Sequence, residues 1–399
     1  MKPMNTRINW SGRALDYTEE EINAVVDVMR RGDPLTQGPH LANFEVQFAR
    51  YHGTTHCFGM TNCANALELS ATLARLGPGD EVIMPAHTYC ASAIPFGRTG
   101  AKLVWADIDP ATLVISAASI RQNLTPRTKA IVVVHLYGVM AEMDAIAELA
   151  QQNGCLLIED CAQALGAEFK GRKAGDFGDF AAYSLHAQKN MTTLGEGGIL
   201  RVKSPATAKL VPGLRHNGHI GFPSTRDHYW QPAMTNVDVD MEGVWPFNYS
   251  LGEAQCALGA KMLERLDAIN AYRRQRGEAF RAAVADFPEL VFQQVPADRR
   301  SVYHLLPARY DGTQYGKTRD DFIGLMAYDY GIKVIVQYYP LYRYPLFVKN
   351  GFGAAQCPHT DHFFDNMVSL PFHQWMKDED FALLIDCTRK TLQRLRAGN

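Results

Sequence analysis

Two polar side chains in this chain stand where chemistry is readily built. Cys155-Leu-Leu-Ile-Glu-Asp160 reads as a buried strand that carries Asp160 to its carboxyl end. A carboxylate desolvated there is costly unless something cationic meets it. Taken alone, Asp160 reads first as an N-cap for the next turn. Further along, Ser184-Leu-His-Ala-Gln-Lys189 sets Lys189 among small, apolar and amide residues, ahead of the glycine-rich Gly195-Glu-Gly-Gly198. A lysine held in this way loses its proton more readily and attacks a carbonyl carbon; a surface lysine beside a loop is the competing reading. The glycines do not have the Gly-Lys-Ser/Thr order of a nucleotide P-loop. Thr61-Asn62-Cys63-Ala64 precedes a helical stretch, and free N–H groups at a helix start bind anions. Asn62 as the helix cap is compatible with that use.

These residues need elements to position them. Glu81–Met84, Leu103–Trp105, Ala130–Val134 and Cys155–Ile158 read as buried strands. Between them lie helical patterns at Ala66–Leu76, with Gly77 as its stop, and at Asp144–Gln152. Alternation of this kind implies an α/β fold whose mostly parallel central sheet is covered by helices, with ligands gathering at the carboxyl ends of the strands. The texture changes near residue 250. The expected division is a large domain over residues 1–250 and a smaller C-terminal α+β domain over 251–399. In the second part, Glu253 to Val284 reads as one long helix with Arg273, Arg274 and Arg276 on its exterior, a solvated face rather than an anion site. Strand-like Val302–Ala308, helical Arg319–Tyr330, strand-like Lys333–Tyr338 and a closing helix from Asp378 follow. Gly218–Phe247 lacks periodicity and reads as a functional loop.

Composition narrows the classes of function. Forty basic against 42 acidic side chains in 399 residues leave a net charge of -2, so no global field holds a nucleic-acid backbone. No run approaches the ~20 apolar residues of a membrane helix. Met1 to Gly12 is polar and lacks the apolar core of a signal peptide, so a cytoplasmic protein is expected. The eight cysteines form no Cys-x-x-Cys pair and, like the 13 histidines, are dispersed. Reduced, structural cysteines and no metal site are the expectation.

Considered together, the strand-end acid, Ser184-x-His-x-x-Lys189 and Gly195-Glu-Gly-Gly198 resemble the DegT/DnrJ/EryC1/StrS family of sugar aminotransferases, a fold-type I branch dependent on pyridoxal 5'-phosphate (PLP). The resemblance spans nearly the whole chain. It includes Leu35-Thr-Gln-Gly38-Pro39, Gly79-Asp80-Glu81, Thr88-Tyr89, His135-Leu-Tyr-Gly138, Phe247-Asn248-Tyr249 and Ser369-Leu-Pro-Phe-His373, in the family's order.

The resemblance implies roles. Lys189 forms the Schiff base with the cofactor aldehyde and later carries the proton between substrate and cofactor carbons. Asp160 keeps the pyridine nitrogen protonated, Gln163 lies near the ring hydroxyl, and Tyr89 stacks on the ring. Asn62, Cys63, Ala64 and Ser184 surround the phosphate, and Asn248 reaches it from a neighbouring subunit, which implies a homodimer with composite sites. The implied reaction moves an amino group from L-glutamate or L-glutamine to a keto sugar, often nucleotide-linked, or a keto cyclitol. Some features depart from the family pattern. Cys63-Ala64 stands where the family usually has Gly-Thr, Ser250 where it has Arg, and Gln337-Tyr338-Tyr339-Pro340 where it often has His. An aromatizing aminobenzoate synthase remains an alternative. Lys189 argues against a sugar dehydratase, while Cys63-Ala64 and Ser250 favour a non-catalytic regulatory subunit.

Overall fold

A computed structural model describes residues 5–10, 17–32, 34–219 and 237–398. Most of the expected Gly218–Phe247 loop lies outside the described residues. The central sheet has seven strands: β1 (Cys57–Met60), β2 (Glu81–Pro85), β3 (Lys102–Ala106), β4 (Thr128–Val134), β5 (Leu156–Asp160), β6 (Phe180–Ser184) and β7 (Gly198–Val202), in the spatial order β1-β7-β6-β5-β4-β2-β3. The pairs from β3 through β6 are parallel; β7 runs antiparallel to both neighbours. The α/β expectation holds. The four expected strands are present, and β1, β6 and β7 add to them. Ile131, Val132 and Val133 are all buried, as a strand covered on both faces requires.

Helices α1 (Glu19–Arg31), α2 (Pro39–His52), α3 (Cys63–Leu73) and α4 (Met143–Gln152) belong to this large unit. Helix α3 begins and ends earlier than its leucine pattern suggests. Asn62 caps it by accepting the Asn65 N–H (2.9 Å), and its stop is Ala74 followed by left-handed Arg75 (φ 49°), not Gly77. The long helix expected from Glu253 is two helices, α5 (Glu253–Glu264) and α6 (Leu266–Ala283), broken at Arg265. Helix α5 packs against α1 and α2. Arg273 and Arg276 are not exterior: both are buried, because carbonyls of distant loops take their guanidinium protons. Beyond them, β8 (Leu290–Phe292), β9 (Leu306–Tyr310) and β10 (Met367–Leu370) form an antiparallel sheet with α7 (Arg319–Tyr328) and α8 (Asp378–Arg396). Val302–Leu305 is not strand; it runs against the 137–138 turn through Val302 N–H to Gly138 O and His304 N–H to Tyr137 O. Lys333–Tyr338 is likewise a single extended run with one bridge, Ile335 to Ser369.

One buried carboxylate fixes the geometry beside β5. Glu159 accepts hydrogen bonds from His135 Nε2 (2.9 Å) and from the N–H groups of Gly175, Phe177 and Gly178 (2.9, 2.8 and 2.6 Å). Burial alone raises its pKa, but the bonds from His135, Gly178 and Gly175 outweigh that and hold it below the ordinary value. The stabilisation is complete above the unfolded carboxyl's pKa of roughly 4.3 and is lost as pH falls through the lower folded value. Replacing Glu159 by Ala leaves four donors unpaired and should cost about 3–5 kcal/mol in denaturant unfolding. The exposed Glu148→Ala control should stay within about 0.5 kcal/mol. Equal effects of the two would refute the assignment.

Candidate active site

The carboxyl end of β5 delivers Asp160 into the interior, 3% exposed. Its Oδ1 accepts the Ala162 N–H (2.9 Å), and its Oδ2 accepts the Ser92 hydroxyl (2.6 Å), which is itself 2.9 Å from Thr88 Oγ1. The Ala162 N–H bond bears out the turn-capping reading of Asp160, and the same carboxylate is buried. Cys63 Sγ lies 4.0 Å from Oδ1, so the thiol faces Asp160, and burial together with that charge pushes it well above the ordinary thiol value.

Lys189 lies on the loop between β6 and β7. That loop is laced to itself through Leu185 N–H to Gly197 O (2.8 Å), Ala187 N–H to Gly195 O (2.9 Å) and Thr193 N–H to Leu185 O (3.0 Å). Lys189 lines a cavity with Trp10, His304, Tyr338, Phe372, His373 and Trp375. Among the described residues nothing bonds its Nζ. Burial lowers its pKa, opposed by Cys63, Asp160 and Glu196, so the charge of Asp160 acts on Lys189. This is an amine poised to lose a proton, as its sequence surroundings suggest.

Asn190 holds Lys189 from behind. Its Nδ2 donates to Asn270 Oδ1 (2.9 Å) and Val302 O (3.1 Å), its Oδ1 lies 3.2 Å from His304 Nδ1, and its carbonyl accepts Gln374 Nε2 (3.2 Å). Arg273 fixes the far side by donating to Tyr303 O, His304 O and Gln374 Oε1.

The remaining expected residues sort into two groups. Asn62, Cys63 and Ala64 form the start of α3, and no described acceptor takes the Cys63 or Ala64 N–H. Gly198 presses on that turn: a Cβ there would stand 2.5 Å from Asn62 C and 2.7 Å from Cys63 N. Ser184 pairs with Gly198 across β6 and β7, which brings its hydroxyl to the same end of the sheet. Gln163 accepts the Tyr137 N–H (2.8 Å) and donates to the Tyr338 hydroxyl (3.0 Å). Tyr89 is 54% exposed, which removes core packing as its role, and its ring is 5.8 Å from that of Tyr338. Asn248 stands apart. It is exposed and bridges His216, while the carbonyls of its neighbours Tyr249 and Ser250 accept from Thr61. Ser92, Thr88, Asn190, His304 and Tyr338 were not singled out for the site from sequence; only the departure from the family at Tyr338 hinted at one of them.

A sequence model of the DegT/DnrJ/EryC1/StrS aminotransferase family matches residues 16–389. The chain belongs to this family. It is 32% identical over 372 residues to the spore coat polysaccharide biosynthesis protein SpsC of Bacillus subtilis, covering 93% of this chain and 94% of that one. It is 33% identical over 338 residues to the L-glutamine:2-deoxy-scyllo-inosose aminotransferase of Streptomyces kanamyceticus, covering 83% of this chain and 78% of that one. Among solved structures it resembles the aminotransferase TlmJ of Streptoalloteichus hindustanus, with a TM-score of 0.86, 29% identity, and coverage of 97% and 99%. Aminotransferases of this family depend on PLP.

The close approach at Gly198 gives a test. Gly198→Ala must displace backbone at the start of α3 and should cost about 1–3 kcal/mol of stability. It should also weaken the binding of inorganic phosphate or PLP to the purified protein. Unaltered binding in a folded variant would contradict the role given to that turn.

Proposed function

We propose that this chain is a PLP-dependent aminotransferase that takes an amino group from L-glutamate or L-glutamine and places it on a keto sugar or keto cyclitol. The observation that carries the reading is the unbonded, pKa-lowered amine of Lys189, which lines a cavity and feels the charge of the buried Asp160. The residues fit the cofactor. An amine without a protein partner among the described residues, a buried acid at a strand end and two unclaimed N–H groups at a helix start are the kinds of group it requires.

When bound, the cofactor supplies an aldehyde for covalent capture and an electron-accepting ring. Lys189 would anchor it through Nζ and, once released, move a proton at the substrate carbon. Asp160, oriented by Ser92 and the Ala162 N–H, would hold the proton on the pyridine nitrogen. The Cys63 and Ala64 N–H groups and the Ser184 hydroxyl would hold the phosphate. Tyr89, exposed beside Tyr338, would cover the ring face, and Gln163 would lie at its edge. The exposed Asn248 suits service to the site of a second copy, so a homodimer with composite sites is part of the proposal. The aromatic walls Trp10, Tyr338, Phe372 and Trp375 suit the apolar faces of a polyhydroxylated ring. No helix among the described residues is long and apolar enough to cross a membrane.

Lys189→Ala should abolish covalent retention of the cofactor and lower turnover by at least about 10²–10⁴-fold. Adding L-glutamate or L-glutamine to wild type should bleach its visible absorbance. An active Lys189→Ala protein would overturn the reading, as would a wild type indifferent to every amino donor.

A further inference from the structure

The hydrogen bonds around Gln163 determine where one proton points. Gln163 Oε1 takes the Tyr137 N–H (2.8 Å), which turns the amide so that Nε2 faces Tyr338 and donates to its phenol oxygen (3.0 Å). A phenol oxygen that accepts still has its own O–H to give. Among the described residues nothing takes that proton.

The ring is held in place. It stacks on Tyr137 with centroids 6.1 Å apart and an interplanar angle of 12°, and Tyr137 in turn donates its hydroxyl to the carbonyl of Gln337 (2.9 Å). Tyr338 also lines the cavity that contains Lys189. Burial, together with Tyr89 and Asp160, pushes the phenol's pKa far up against the lowering bond from Gln163, so the group stays protonated. His304 adds to the same wall. With Nδ1 set against Asn190 Oδ1 (3.2 Å) and its pKa pushed well below the ordinary value by burial, Lys189 and Arg273, it stays uncharged. The cavity that Lys189 lines therefore offers a neutral donor at a fixed position.

We propose that Tyr338 contacts the substrate, donating its O–H to the carbonyl oxygen of the keto acceptor while the carbonyl carbon sits within reach of Lys189. The hydrogen bond polarises the C=O and fixes which face the carbon presents; the phenol keeps its proton, and no bond is made or broken at Tyr338. This rests on the aminotransferase reading and deepens it. The amino donor's reacting carbon carries no oxygen until its keto product forms, so the early donor steps, read as the loss of cofactor absorbance, proceed without this contact. The keto acceptor needs it from the moment it binds.

The test separates the two halves in the PLP-loaded protein. Tyr338→Phe, which keeps the stacked ring, should melt with wild type, retain cofactor, keep its absorption spectrum and react with amino donor within twofold of the wild-type rate. Its kcat/KM for the keto acceptor should fall about 10- to 100-fold. Tyr338→His, which restores an N–H donor, should recover part of that loss. An acceptor half unaffected by Tyr338→Phe overturns this assignment alone. Equal loss in both halves with an altered spectrum also overturns it, by placing the O–H on the cofactor. A wild type inert toward every amino donor overturns the parent reading and this assignment with it.

Discussion

The side chain of Asn190 ties together three parts of the molecule that are distant in sequence, and the position of Lys189 depends on that knot. Both of its amide protons and its oxygen are engaged, by Asn270 of α6, by the Val302 carbonyl and by His304. An amide with all its groups committed to rigid partners has one orientation, because a buried polar atom left over costs about 1–3 kcal/mol. The lysine next to it inherits that definition. Long amine side chains ordinarily lose considerable rotamer entropy when held still, so a fixed backbone on either side is what makes a buried, reactive amine practical. The large sheet supplies the acid, and α6 with the segment after residue 300 supplies the clamp.

Charge is arranged around this point with economy. Asp160, whose charge acts on Lys189, is already oriented by a hydroxyl and a backbone N–H. The two histidines lining the cavity have their pKa values lowered by burial, so they do not compete with Lys189 as cations. Arg273, a buried guanidinium, donates its protons to carbonyls and Gln374 and serves as a strut. What faces a ligand is then one titratable amine, one acid and neutral hydrogen-bonding groups set among aromatic rings.

Much of this was legible in the sequence, and for physical reasons. Buried apolar runs are local patterns, so four of the seven sheet strands could be read directly, while Asp160 and Lys189 stood out as a pair only through the resemblance to the family. What could not be read depends on long-range partners. Gln163 and Tyr338 are 175 positions apart, and nothing near either announces their bond. Arg273 and Arg276 look like a solvated face because helical spacing cannot show that loops will bring carbonyls onto them. The break at Arg265 was hidden by hydrophobic spacing that continues through it. Lys333–Tyr338 has strand-like composition but pairs at only one point, since the small sheet is completed by β8 and β10 on either side of β9.

The account stands or falls on the identity of one nitrogen. Borohydride reduction of the purified protein after incubation with PLP, followed by peptide mass mapping, reads that identity without any knowledge of the substrate. A single phosphopyridoxyl adduct on Lys189 is the predicted result. An adduct distributed over surface lysines, or none on the peptide containing Lys189, would contradict it.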